Sequence, residues 1–216
     1  MQHEPETHYT NIAISGLAGT GSTTLLRKLR AALEPQGWRG YSGGEFMKQY
    51  VPQGSQEGGH HSATAYSPDI DRQVDMGIRS QLATEHHLIV ESWLAGFLAQ
   101  GIPQVLKVLV TCSDDLDRAQ RLAKRDDMSP EQAFVKAYQR LDDNMARWSQ
   151  LYADEWNAWV LQPGTLAVEC KVWFWNPRLY DLVIDTTAYN EEDTLELVLD
   201  KLPQADAVAA SLALVK

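Results

Sequence analysis

The segment Gly16-Leu-Ala-Gly19-Thr-Gly21-Ser22-Thr23-Thr24 constrains this chain more than any other. Residues 9–15 before it read as a short buried strand. Residues 23–33 after it carry Leu25, Leu26, Leu29 and Leu33 at helical spacing, with bases on the other face. A glycine turn between strand and helix lets backbone N–H groups point inward as an anion nest. The helix N-terminus adds partial positive charge. The plainer alternative is a tight strand-to-helix turn with a Ser/Thr cap.

The outer glycines fit the phosphate-binding frame GxxxxGK[ST], with Ser22 where lysine is expected. Gly16, Gly19, Thr20, Gly21, Ser22, Thr23 and Thr24 are the candidate donor-phosphate contacts, and the Thr23 hydroxyl can reach Mg2+. The charge that lysine would bring must come from Mg2+ or from arginines elsewhere, or the site is inactive.

The rest of the chain alternates strands with helices. Strands are predicted over 38–42, 87–91, 105–111 and 181–185, and helices over 71–83, 115–124, 130–159 and 191–202. Residues 54–66 read as a loop. Near-continuous apolar strands alternating with helices argue a parallel α/β sheet covered on both faces. The layout is a polar segment over 1–8, one domain over 9–202 and an Ala-rich tail over 203–216. The stripe Trp148, Tyr152, Trp156, Trp159 reads as core packing.

Composition removes other classes. The net charge of −10 argues against a broad nucleic-acid footprint. No window approaches the ~18 apolar residues of a membrane span. Cys112 and Cys170 form no close pair, which points to reduced thiols and a cytoplasmic setting. No basic and apolar leader pattern opens the sequence. The pairs His60–His61 and His86–His87 point apart on helix or strand, so no metal site is read in them.

Glu91 ends an apolar strand beside the loop, where a carboxylate can hold a magnesium-bound water; a strand-end cap is the alternative. Arg118, Arg121 and Arg125 share a helix face, as do Arg140 and Arg147. Such arginines can close on transferring phosphates, or they can serve as surface ion-pair partners. An acceptor phosphate is already anionic, so no general base is required.

The lysine-free loop resembles the archaeal-type cytidylate kinases, some of which carry threonine at this position. Tyr41-Ser-Gly-Gly44-Glu45-Phe46 is similar to the family's Gly-Glu-hydrophobic segment, which begins the monophosphate-binding region, here 43–87. Asp69-Ile-Asp71-Arg72 resembles its acidic pair at a helix start. Leu88-Ile-Val-Glu91-Ser-Trp93-Leu94-Ala95-Gly96-Phe97 resembles its strand ending in Glu-Gly-Arg-Leu-Ala-Gly-Trp, with Ser92 and Trp93 replacing glycine and arginine. Arg118 to Arg125 sit like the basic helix before the lid, and Arg140 and Arg147 like the arginines after it, a lid region of 118–150. Tyr180-Asp-Leu-Val-Ile-Asp185-Thr186 is close to the final strand. Residues 157–178, with Trp159, Trp173 and Trp175, have no counterpart in that family and read as an insertion, which with the Trp stripe would form a mini-core or an oligomer contact.

The resemblance implies a three-layer P-loop NTPase fold and ATP-dependent phosphoryl transfer to a nucleoside monophosphate, CMP or dCMP first. It implies Mg2+ held by Thr23 and, through water, Glu91. Arg121, Arg125, Arg140 and Arg147 would be catalytic, and Gly44, Glu45, Asp71 and Arg72 would bind the acceptor. No nucleic-acid polymer or membrane partner is implied, and the chain would be a monomer or small homo-oligomer. Two other functions stay open: a P-loop kinase with a changed small-molecule acceptor, and a nucleotide-binding protein without turnover.

Overall fold

The computed structural model describes residues 8–48 and 68–203. The loop expected over 54–66 and nearly all of the Ala-rich tail lie outside them. The described strands are β1 (Asn11–Gly16), β2 (Arg39–Ser42), β3 (Leu88–Glu91), β4 (Val105–Thr111) and β5 (Leu182–Asp185). The helices are α1 (Ser22–Leu33), α2 (Gly43–Met47), α3 (Pro68–Thr84), α4 (Ala95–Leu98), α5 (Asp115–Asp126), α6 (Pro130–Leu151), α7 (Ala153–Trp156) and α8 (Glu191–Leu199).

All described pairings are parallel, in the order β2-β3-β1-β4-β5. Successive residues of β1 serve opposite layers because strand side chains alternate. Ile12 and Ile14 pack with α1 and α8 through Leu25, Leu29, Leu195 and Val198. Ala13 packs toward α3, α4 and α6 with Ile78, Phe97 and Tyr152. The result is the three-layer α/β architecture expected. β1 lies between β3 and β4, so its C-terminal end is where strand order reverses, the crevice in which open α/β sheets bind ligands.

Local sequence sets the helix starts. Ser42 and Glu45 form a capping box for α2, as do Ser129 and Gln132 for α6 and Asn190 and Asp193 for α8. Asp114 caps α5 by accepting from Leu116 and Asp117 N–H.

One expected helix is corrected. The run predicted over 130–159 breaks at Tyr152, which has φ −115° and ψ 24°. Arg72 Nη1 donates to the Leu151 carbonyl at 3.1 Å, and the fully buried Tyr152 gives its hydroxyl proton to Asp75. These tertiary bonds compete with the helical ladder, and the chain re-enters as α7 followed by a π turn, Asn157–Leu161. Residues 157–178 are not a separate mini-core: Val160, Leu166, Phe174 and Trp175 are buried in the apolar cluster that holds α3 and α4. Trp148, Tyr152 and Trp156 are buried there as expected. No helix among the described residues is long and apolar enough to cross a membrane.

Candidate active site

The loop after β1 wraps the N-terminus of α1, whose first turn contains no acid to quench its positive end. Gly19 has φ +85°, and a Cβ there would lie 2.8 Å from Leu122 Cγ and 3.0 Å from Arg118 Cγ. The position therefore needs a left-handed backbone and no side chain. Arg118 Nε donates to the Ala18 carbonyl at 2.8 Å, and its guanidinium faces the Tyr138 ring, so this arginine fixes the loop. Thr20 is buried and turns its hydroxyl onto the Leu17 carbonyl at 2.9 Å, which closes the turn.

The loop floors a cleft of about 1080 Å3. Gly16, Gly19, Gly21, Ser22, Thr23 and Thr24 line it from below. Gly44, Glu45, Asp71 and Asp75 line it from α2 and α3. Arg121 and Arg125 come from α5, and Arg140, Asn144 and Trp148 from one face of α6. Glu91, Ser92 and Trp93 sit at the end of β3.

Ser22 Oγ donates to Glu91 Oε1 at 2.7 Å. Burial holds the Glu91 carboxyl above its ordinary range, partly offset by hydrogen bonds from Ser22 and Thr23 and reinforced by the nearby charge of Glu45. Thr23 and Glu91 are thus one cluster of hard oxygen donors at the foot of the nest. That chemistry suits Mg2+, which is usually held by one or two protein oxygens together with waters and phosphates. The residues fit the ion.

Arg121 Nη1 donates to Thr186 Oγ1 at 2.8 Å, and Thr186 Oγ1 donates to the Thr20 carbonyl at 2.9 Å. Arg121 also pairs with Asp117 at 2.7 Å. A hydrogen-bonded chain therefore ties this cation to the loop through the residue after β5. Arg125 is held by Asp126 at 2.6 Å. Burial lowers Arg140 to about 10, helped by the like charge of Arg125 and opposed by Asp126.

Four expected site residues are placed differently, the first being Thr20, which does not line the cleft because its hydroxyl and N–H both go to the Leu17 carbonyl. Arg147 does not line the cleft but ion-pairs with Asp71 at 2.7 Å. Arg72 lies outside the cleft on Glu155 and the Leu151 carbonyl. Glu45 reaches the cleft rim, but its carboxylate accepts from Ser42 N–H at 2.7 Å and meets Arg30 at 3.3 Å, so much of its capacity is spent in capping. Burial pushes Asp71 up to about 6 against the opposing charge of Arg147.

Sequence reasoning missed Asp75, Asn144 and Thr186. Asp75 lies one helical turn after Asp71, so the spacing could have found it. Asn144, 1% exposed, has a buried Oδ1 without a hydrogen-bond partner. Nothing in the local sequence marks it.

The AAA_18 family, described as an AAA domain, matches residues 12–156. The chain is 29% identical over 198 residues to a cytidylate kinase of Pyrococcus furiosus, covering 91% of this chain and 90% of that protein. It is 30% identical over 188 residues to a cytidylate kinase of Pyrococcus abyssi, covering 87% and 90%. An uncharacterized protein from Eubacterium ventriosum shares the fold at TM-score 0.59 and 15% identity, over 88% of this chain and 96% of that one. Likeness of this extent to its sequence relatives means that the chain belongs to the cytidylate kinase family.

Proposed function

We propose that this protein transfers the terminal phosphoryl group of ATP to a nucleoside monophosphate, with CMP and dCMP as preferred acceptors. One observation carries the reading: a lysine-free glycine nest and three arginines from two lid helices line the same cleft. The family relationship supports the acceptor class.

The glycine nest and the N-terminus of α1 would cradle the donor phosphates. Thr23 and, through a water, Glu91 are the residues that would hold Mg2+, which when bound supplies positive charge to those phosphates. Arg121 and Arg125 approach from α5 and Arg140 from α6, and guanidinium groups fork onto phosphate oxygens. Arg121 and Arg125 would deliver the charge that the absent lysine does not, and Arg140 would meet the acceptor phosphate. The monophosphate would lie toward α2, α3 and α6, among Gly44, Asp71, Asp75 and Asn144. Phosphoryl transfer needs little beyond this positioning and charge. Free cysteines at Cys112 and Cys170 suit a cytoplasmic setting.

The test is ADP release with ATP and Mg2+, offering CMP, dCMP, UMP, AMP and GMP in turn. CMP-selective turnover that collapses in Arg121→Ala and Arg140→Ala is the expected result. Silence with every acceptor while ATP still binds would overturn the reading.

A further inference from the structure

Arg140 is set up unlike its neighbours. Arg118 and Arg121 hold carbonyl or hydroxyl oxygens, and Arg125 holds Asp126. Arg140 has a buried Nε without a hydrogen-bond partner and, among the described residues, makes no ion pair. Its guanidinium instead lies 4.6 Å from the centroid of the Trp93 ring. Trp93 stands where the resemblance expects arginine. At that point this chain presents the aromatic face over which Arg140 lies.

The Trp93 ring is itself held from two sides. Trp148 of α6 meets it edge-on at 5.7 Å and Trp175 at 5.8 Å, both at 73°. Trp175 Nε1 also donates to the Trp93 carbonyl at 2.9 Å. Trp175 is 4% exposed and follows the fully buried Phe174, which packs on Phe97 of α4 at 4.7 Å. The Trp-rich stretch left unexplained by the sequence is thus anchored in the core and supports the cleft-lining Trp93 through Trp175.

We propose that Trp93 is a positioning residue that fixes Arg140 for the acceptor phosphate, and that Trp175 is its buttress. A cation over an indole face is attracted by the ring quadrupole, and most strongly when both are desolvated. Held over the ring, the guanidinium keeps an Nε with no hydrogen-bond partner and can still fork onto a phosphate. Arg140 and Arg125 both line the cleft, and the like charge of Arg125 is felt at Arg140, so an anion bound beside them would relieve that repulsion. The device orients the cation without neutralising it, which a carboxylate partner would do.

The inference rests on the kinase reading, and a double-mutant cycle on the full chain separates the two. The KM for CMP, the KM for ATP and kcat are measured for wild type, Trp93→Leu, Arg140→Ala and the double variant. Calorimetric binding of CMP to the same four proteins runs in parallel, so silent turnover still leaves the cycle readable. The expected result for W93L is about a tenfold weaker hold on CMP, roughly 1.4 kcal/mol. The ATP KM stays within about twofold, and W93L adds nothing further in the Arg140→Ala background. Trp93→Phe recovers most of the loss. Should W93L fail to fold, fluorinated tryptophans at position 93 keep the shape while draining the ring face, and CMP affinity is expected to fall with each added fluorine. Multiplicative effects in the cycle, equal losses in Phe and Leu variants, or affinity indifferent to fluorination would overturn the inference. A wild type that binds CMP but turns over no monophosphate would overturn the kinase reading alone.

Discussion

Ser22, the first residue of α1, donates its hydroxyl to Glu91 at the end of β3 across 2.7 Å. The bond ties the N-terminus of α1 to the end of β3, where Glu91 is in register with Ile14 of β1. Ser22 therefore serves the scaffold first. Ser22→Ala leaves a buried carboxylate short of a donor and is expected to lower unfolding free energy by about 1–3 kcal/mol in urea titration. Ser22→Thr is expected to keep it. An Ala variant of unchanged stability with only a raised ATP KM would instead make the hydroxyl a phosphate ligand.

Arg121 reaches the loop through Thr186 and keeps about a third of its side chain exposed. Its charge is thus available at the cleft, and little stability depends on it. Arg121→Ala is expected to lower kcat by about 10²–10³, the usual cost of removing one preorganised charge-stabilising donor. Arg121→Lys should recover only part, because an ammonium cannot fork. Steady-state rates with CMP, alongside an unchanged melting temperature, check both.

Two glycines with nearly equal φ make a controlled comparison. Gly19 has φ +85° and crowded surroundings, whereas Gly37 has φ +82° and no atom within 4 Å of the point a Cβ would occupy. Gly37→Ala bears only the left-handed backbone cost of about 1–2 kcal/mol and should leave activity alone. Gly19→Ala adds a clash with Leu122 and Arg118, so the loop must move. Its ATP affinity is expected to fall at least tenfold, by calorimetry, and equal behaviour of the two variants would defeat the argument.

What was legible in the sequence is what local physics determines. The strand, glycine turn and helix at 9–33 carry their own spacing, and the register of apolar runs exposes the parallel sheet. The roles of individual charges were not legible. Arg118, Arg121 and Arg125 share one helical face, yet one grips the Ala18 carbonyl, one hangs from Thr186 and one pairs with Asp126. Arg140 and Arg147 are seven residues apart, and only the first lines the cleft. Spacing gives the face of a helix, but the partner comes from another element. The break at Tyr152 was hidden for the same reason, because Asp75 and Arg72 lie nearly eighty residues away.

Asp75 links stability to pH. Burial raises its carboxyl from 3.8 to about 7, opposed by the Tyr152 hydrogen bond and reinforced by the charge of Asp71 one turn earlier. A carboxyl whose folded pKa exceeds its unfolded value contributes stability that is fully present below about 3.8. In that range both states hold the proton. As pH rises, the unfolded chain ionises first, and the contribution is lost through about 7. Asp75→Asn keeps an acceptor for the Tyr152 hydroxyl and removes the titration. Its stability relative to wild type is therefore expected to improve between pH 5 and pH 8, by about 1–3 kcal/mol given partial solvent access from the cleft. Urea midpoints of the two proteins at both pH values measure this, and a difference independent of pH would mean that Asp75 is ionised in the fold throughout.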